Sequence, residues 1–278
     1  MKAIYESVQN MAGVEQLNKE LAKSGGRTVM VSGCIDTQRI HFSSAIAKDY
    51  KFQLIVTSDE GKARSIAEDA KFFNKDVMYY PAKDVIFYNA DIQGRQIAGE
   101  RIRCVAAIID KLNKSDISDT GEDKRRTEED KTEAKEEPLT IVTTIDGISD
   151  ILVPIDRYKR AMIELKTGAI VDVDELSKNL TDMGFERFGM VEARGQFAIR
   201  GGIIDIFSYT DEAPVRIELW DDEVDSIRAF DVESQRSIEN YKSYTIFPAT
   251  EYLFTEDEIE KGIEKIRHEK DEQMKLFG

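Results

Sequence analysis

GFERFGMVEARGQFAIRGGIIDIF, residues 184–207, alternates apolar and polar side chains between glycines, and that alternation decides the fold of the chain's second half. Period two sends successive side chains to opposite faces of a strand. Gly195 and the Gly201-Gly202 pair punctuate the stretch, so it predicts a short strand, a turn, a second strand, a break and the apolar strand 203–207. The pattern continues through VRIELW (215–220), the acidic turn Asp221-Asp222-Glu223 and VDSIRAFD (224–231). Together these segments predict a compact antiparallel sheet.

Alternation accounts for the sheet and not for its arginines. In FAIR (197–200), Phe197 and Ile199 share one face while Ala198 and Arg200 share the other; Arg216 and Glu218 likewise share a face. If those faces are contiguous, the sheet displays a basic and mixed-charge patch beside small residues. Such a patch suits protein recognition, where arginine is enriched and pairs bidentately with carboxylates. Ordinary solvated strand charges are the competing reading.

The ordered set GF-x-R-x(7)-GQFAIRGGIIDIF, PVRIEL, DDEVDSIRAFD, ESQRSIE and TIFPATEY, spread over residues 184–252, resembles the amino-terminal, UvrB-like module of bacterial transcription-repair coupling factors. Upstream, residues 29–33, 55–57, 67–73 and 99–101 fall in that family's order. The resemblance implies a module that docks UvrA, the ATPase that recognises damage, and so recruits nucleotide excision repair to stalled RNA polymerase. Carried onto this sequence, the UvrA-facing residues are Arg187, Arg200 and Arg216, with Glu218 on the same strand as the last. Phe197 would be an apolar anchor, although alternation equally makes it a core residue. A second hairpin arginine of the family falls here on Ala198, so that contact is either lost or supplied by Arg194.

The resemblance further implies an α/β architecture of two domains. Residues 1–154 would be a degenerate helicase-like (P-loop-type) parallel-sheet domain without a functional nucleotide site. Residues 155–250 would be a smaller antiparallel α+β docking module, and 251–278 a charged helix opening the next segment. The family's RNA polymerase-binding domain and its ATP-dependent DNA translocase motor lie carboxy-terminal, so polymerase and double-stranded DNA would be partners of the whole protein. This chain is then expected to be a non-catalytic bacterial cytoplasmic fragment with no cofactor. The alternative reading is a nucleotide-dependent DNA helicase relative or a UvrB-like damaged-DNA-binding protein.

Composition narrows these choices. The net charge of −15, from 54 acidic and 39 basic residues, disfavours a chain that binds duplex DNA alone, since that requires clustered Lys and Arg to neutralise phosphates. No run of about 18 apolar residues exists to span a membrane, and the start, MKAIYE, lacks the pattern of a signal peptide. Cys34 and Cys104 are far apart and read as buried small apolar residues of a reducing compartment. His41 and His268 lack metal-ligand spacing, so no zinc site is expected.

Along the first half, helix and strand signals alternate. Apolar spacing predicts a helix over 7–22, then a strand at 28–32, a helix at 39–48 and a strand at 52–57. Ser58 or Asp59 would cap a helix running to Phe72; a strand at 76–81, a helix at 94–111 and a strand at 140–144 follow. That rhythm implies a parallel sheet covered by helices. Residues 114–137 interrupt it with ten acidic and six basic side chains and almost no aliphatic ones, and read as a mobile charged excursion. Helices are expected again at 173–183 and 257–276.

Nucleotide hydrolysis can be tested directly against the sequence. A P-loop would need G-x-x-x-x-G-K-[ST] after the first strand. The chain offers Ser32-Gly33-Cys34-Ile35-Asp36-Thr37-Gln38-Arg39, without the second glycine, the lysine or the magnesium-binding hydroxyl in their places. Asp36 would repel a phosphate, and Arg39 does not replace the lysine without a changed geometry. The stretch 84–101 is too short for a DNA-gripping hairpin; Phe87 and Tyr88 could stack on bases, with core packing the plainer reading.

Overall fold

A computed structural model describes residues 2–11, 13–23, 26, 28–83, 90–119, 137–150 and 152–277. The chain divides into two compact units, Met1–Ile151 and Leu152–Gly278. It is a mixed α/β protein, with a parallel sheet in the first unit and a mainly antiparallel one in the second.

The first unit opens with α1 (Lys2–Gln9) and α2 (Val14–Leu21), where the apolar spacing predicted one continuous helix. Gly13, at φ 89°, separates them, a conformation that glycine adopts without steric cost. Then come α3 (Asp36–Ala47), β1 (Phe52–Thr57), α4 (Glu60–Ala70), β2 (Val77–Tyr80), α5 (Ala90–Asp119), β3 (Leu139–Thr144) and α6 (Ile145–Ser149). Asp59 caps α4, its carboxylate accepting the Lys62 amide at 2.8 Å. The strands lie in the order β1-β3-β2, both pairings parallel. Ala63, Ala67 and Ala70 of α4 are small enough to let the helix settle against Val77 and Val142 of the sheet, with Ile40 of α3 closing the cluster.

Two further expectations for this unit need correction. Residues 28–32 form no strand, and Val29, Met30 and Val31 are exposed. A strand exists only through its ladder, and neither β1, β2 nor β3 pairs with this segment. Helix α5 also runs past 111 into the charged stretch, as far as Asp119. An Asp110–Lys114 ion pair of 2.8 Å at helical spacing accompanies that extension. Most of the predicted charged excursion, residues 120–136, lies outside the described residues, as do Phe87 and Tyr88.

Cys104, on α5, is fully buried and donates its thiol to the Tyr79 carbonyl at 3.2 Å. Burial pushes its pKa up to about 12, whereas Cys34 is partly exposed. Because the thiolate is the reactive species, an aromatic disulfide reagent at neutral pH is expected to titrate one thiol in the native chain and the second only after denaturation. Rapid reaction of both thiols in the native protein would contradict this placement.

The second unit contains α7 (Ile155–Ala161), β4 (Ile163–Lys166), α8 (Val173–Asp182), β5 (Glu186–Arg187), β6 (Gln196–Arg200), β7 (Ile203–Phe207), β8 (Val215–Trp220), β9 (Glu223–Phe230), β10 (Ser237–Tyr241), β11 (Ser243–Ile246) and α9 (Glu256–Phe277). Six strands form one sheet in the order β10-β9-β8-β7-β6-β5, antiparallel except for β5 with β6, and β11 pairs with β4 in a separate ribbon. Asp172 caps α8 by accepting the Asp174 and Glu175 amides at 2.9 and 3.0 Å. Leu176 and Leu180 of that helix pack on Phe197, Ile204, Ile206, Ile217 and Ile227, which form the apolar face of the sheet.

Glycines set the corners of this unit. At Gly184 (φ 86°) a Cβ would lie 2.6 Å from the Thr250 Cβ, and at Gly195 (φ 82°) it would meet the Tyr209 hydroxyl at 2.9 Å. Positive φ and close approach both exclude a side chain at these two places. No helix among the described residues is long and apolar enough to cross a membrane.

Candidate docking face

The face of the six-stranded sheet opposite the core is built by cross-strand register. Ala198 lies opposite Asp205, Asp205 opposite Arg216, and Arg216 opposite Arg228. One step along, Arg200 lies opposite Ile203, Ile203 opposite Glu218, and Glu218 opposite Ser226. Partners across a ladder project to the same side, so the structure brings Arg200, Arg216 and Glu218 onto one continuous surface. It adds two residues that the sequence reading did not single out, Asp205 and Arg228.

Asp205 organises the centre. Its side chain is 1% exposed and accepts three hydrogen bonds: Arg200 Nη2 at 2.6 Å, Arg216 Nη2 at 2.9 Å and Arg216 Nε at 2.7 Å. Arg216 is 11% exposed, stacks its guanidinium 4.3 Å from the Phe230 ring centroid, and donates to Gln235 Oε1 at 2.8 Å. The Asp205 hydrogen bond holds the Arg216 pKa above its ordinary value, with burial opposing. Arg216 thus directs its Nε and Nη2 donors into the unit. Glu218 is similarly engaged, accepting both terminal nitrogens of Arg228 at 2.9 and 2.5 Å and the Ser226 hydroxyl at 2.8 Å.

Arg200 differs. Its side chain is 42% exposed, and one nitrogen is tethered to Asp205. A planar guanidinium carries five N–H donors, so the anchored side chain still offers donors to a partner in a fixed orientation. The arrangement suits capture of a carboxylate better than a free surface arginine would, since less rotamer entropy remains to be lost.

The other sequence-predicted residues fall elsewhere. Phe197 is 0% exposed and sits in the core cluster, so it braces the face from behind and presents no surface; the anchor expectation is corrected by its place on the inward register. Arg187 is exposed and makes no hydrogen bond or ion pair with the described residues. Register places it opposite Phe197, so alternation puts it at the edge of the sheet on the other face from Arg200. Arg194, the alternative to the arginine missing at Ala198, is held within the unit. Its Nε donates to the Asp211 carbonyl at 3.0 Å and its guanidinium lies 5.1 Å from the Phe207 ring centroid. Ala198 itself is buried with Val191 and Phe207 beneath the 188–195 segment.

In the first unit, the turn compared with a P-loop is occupied by its own side chains. Arg39 donates to the Cys34 carbonyl at 3.2 Å and pairs with Asp36 at 3.2 Å. Arg101, from the Gly99-Glu100-Arg101 stretch, is fully buried, donates to the Pro81 carbonyl at 2.8 Å and lies 4.2 Å from the Tyr80 ring centroid. Its place is structural, at the end of β2.

Residues 163–252 match the family model described as the UvrB interaction domain. The chain is 31% identical over 245 residues to the transcription-repair-coupling factor of Bacillus subtilis (strain 168), which covers 87% of this chain and 19% of that protein. It is 30% identical over 260 residues to the transcription-repair-coupling factor of Staphylococcus haemolyticus (strain JCSC1435), with 92% and 20% covered. The chain thus spans about a fifth of the length of the curated relatives it matches.

Proposed function

We propose, because residues 163–252 match the UvrB interaction domain model in a chain similar along about nine-tenths of its length to transcription-repair-coupling factors, that the second unit docks UvrA and so brings excision repair to stalled RNA polymerase. The role is non-catalytic: the unit supplies a surface, and the work of translocating on DNA and engaging polymerase belongs to the remaining four-fifths of such a protein. The first unit, a parallel sheet with helices whose turn at the P-loop position carries an exposed Asp36–Arg39 ion pair, is read as a degenerate helicase-like domain that turns over no nucleotide.

The observation that carries this reading is Arg200, held by a buried carboxylate at 2.6 Å while its side chain stays 42% exposed. Arginines of this kind, ordered before the encounter and aimed at solvent, are what an interface hot spot requires. Arg216 and Glu218, by contrast, serve the partner indirectly by fixing Asp205 and the neighbouring strand.

Alanine at 200 is the appropriate probe, since a glutamate there would face Asp205 and confound folding with binding. Arg200→Ala is expected to weaken UvrA binding by about 2 kcal/mol or more, as a desolvated charge contact, with the unfolding midpoint little changed because Asp205 keeps both bonds to Arg216. Arg187→Ala, at the exposed edge, is expected to cost under about 1 kcal/mol. Titration of UvrA by calorimetry separates the two, and unchanged affinity in a folded Arg187/Arg200 double variant would remove the docking assignment.

A further inference from the structure

The chain's single tryptophan is 82% exposed at the end of β8, on the same side of the sheet as Glu218, two residues before it. Exposure of so large an apolar side chain calls for a reason, since tryptophan is among the residues most enriched at interface centres. It is also not alone. Trp220 lies opposite Glu223 across the β8–β9 hairpin, and Glu223 lies opposite Ile170 across an isolated bridge. Register therefore lines Trp220, Glu223 and Ile170 on one side, and Ile170 is itself 67% exposed.

The backbone beneath these side chains is fixed. Leu219 donates to the Gly202 carbonyl at 2.7 Å, Val171 to the Asp222 carbonyl at 2.8 Å, and Val224 and Gly168 close the other side through Ala169 and Val224 carbonyls at 2.8 Å each. Leu219 packs against the core cluster, which turns Trp220 outward. An exposed ring on a tied backbone has little ordering entropy left to lose on binding.

We propose that Trp220, with Ile170 across Glu223 from it, is the apolar anchor of the docking face. It would enter a socket on UvrA flanked by a carboxylate that meets Arg200 and by a basic group that meets Asp221, Asp222 and Glu223. This rests on the UvrA reading and adds to it a contact none of the arginines supplies. Charge complementarity selects that occupant chemistry. Arg200, Arg216 and Arg228 outnumber Asp205 and Glu218 on the central part of the face, while the hairpin tip beyond Trp220 carries three consecutive acidic residues. Strands about 4.8 Å apart and rising about 3.4 Å per residue put Trp220 roughly 12 Å from Arg200, well within one interface of standard size.

The test uses the 278-residue chain labelled with 5-fluorotryptophan, which gives one fluorine resonance, and purified UvrA. The resonance is expected to shift and broaden on adding UvrA, and Trp220→Ala is expected to bind about 30-fold more weakly with an unchanged unfolding midpoint. Ile170→Ser gives a second variant with an expected loss of about fivefold. If Arg200→Ala weakens binding while Trp220→Ala and the fluorine signal do not respond, the anchor is wrong and the UvrA reading stands. If neither variant responds, the UvrA reading itself fails. A concentration-dependent shift without UvrA would assign Trp220 to contact between copies of this chain and would also overturn the proposal.

Discussion

Asp205→Ala is expected to lower the stability of the second unit by about 3–5 kcal/mol, the largest effect of any single substitution on the polar side of the sheet. The carboxylate is 1% exposed and accepts from both Arg200 and Arg216. Removing it leaves the Arg216 guanidinium, itself 11% exposed, charged and without its counter-ion, and breaking one side of a buried pair costs far more than the pair contributes. Arg200 loses its tether at the same time, so UvrA affinity should fall in the fraction that remains folded. Urea unfolding followed by circular dichroism measures the first effect. Replacing both partners, as in Asp205→Leu with Arg216→Met, should recover most of the loss, because the desolvation cost disappears with the charges. A loss below about 1 kcal/mol in the single variant would mean that the network behaves as a solvated surface pair.

Phe197→Ala should cost about 3–5 kcal/mol, the usual range for emptying a fully buried aromatic site. Phe197 packs among Ile204, Ile206 and the α8 leucines with no exposed surface, so the loss should appear entirely in stability. Phe197→Leu keeps most of the apolar volume and is expected to cost no more than about 1.5 kcal/mol. Its UvrA affinity should match that of the unaltered chain. A folded Leu variant that binds UvrA tenfold more weakly would show that the ring reaches the partner after all.

The contrast between Phe197 and Arg200 shows what the sequence contained and what it lacked. Alternation in FAIR separated the two residues by face and predicted the strands later seen as β6, β7, β8 and β9. Glycine punctuation located the corners at Gly195 and at Gly201-Gly202. What alternation does not supply is register, which depends on how strands pair across a sheet. Asp205 was therefore legible only as a polar interruption in an apolar strand, and its two arginine partners, 5 and 11 residues away in sequence, were not. Glu218 looked available for a partner because Arg228, 10 residues on, lies diagonal to it across the β8–β9 ladder, a placement that only the register supplies.

The first unit failed in a different way. Residues 28–32 carry a good strand pattern, but β propensity reports fitness for a pleated surface and not the presence of a neighbour. The 7–22 periodicity likewise ran across a glycine whose backbone sign was invisible. β10 gives period two little contrast, its side chains being almost all exposed, and β11, although it alternates exposed and buried residues, is only four residues long.

The Asp205 ladder also bears on anyone wishing to transplant the proposed docking surface to another scaffold. Moving Arg200 alone would carry a flexible cation. A faithful graft needs Asp205 and Arg216 on the two adjoining antiparallel strands, Phe230 beneath the second guanidinium, and a small residue at 198 on the same face as Asp205. The unit of inheritance is thus a four-strand tile with its pairing intact, and a scaffold whose register is off by a single residue would turn the whole tile toward its own interior.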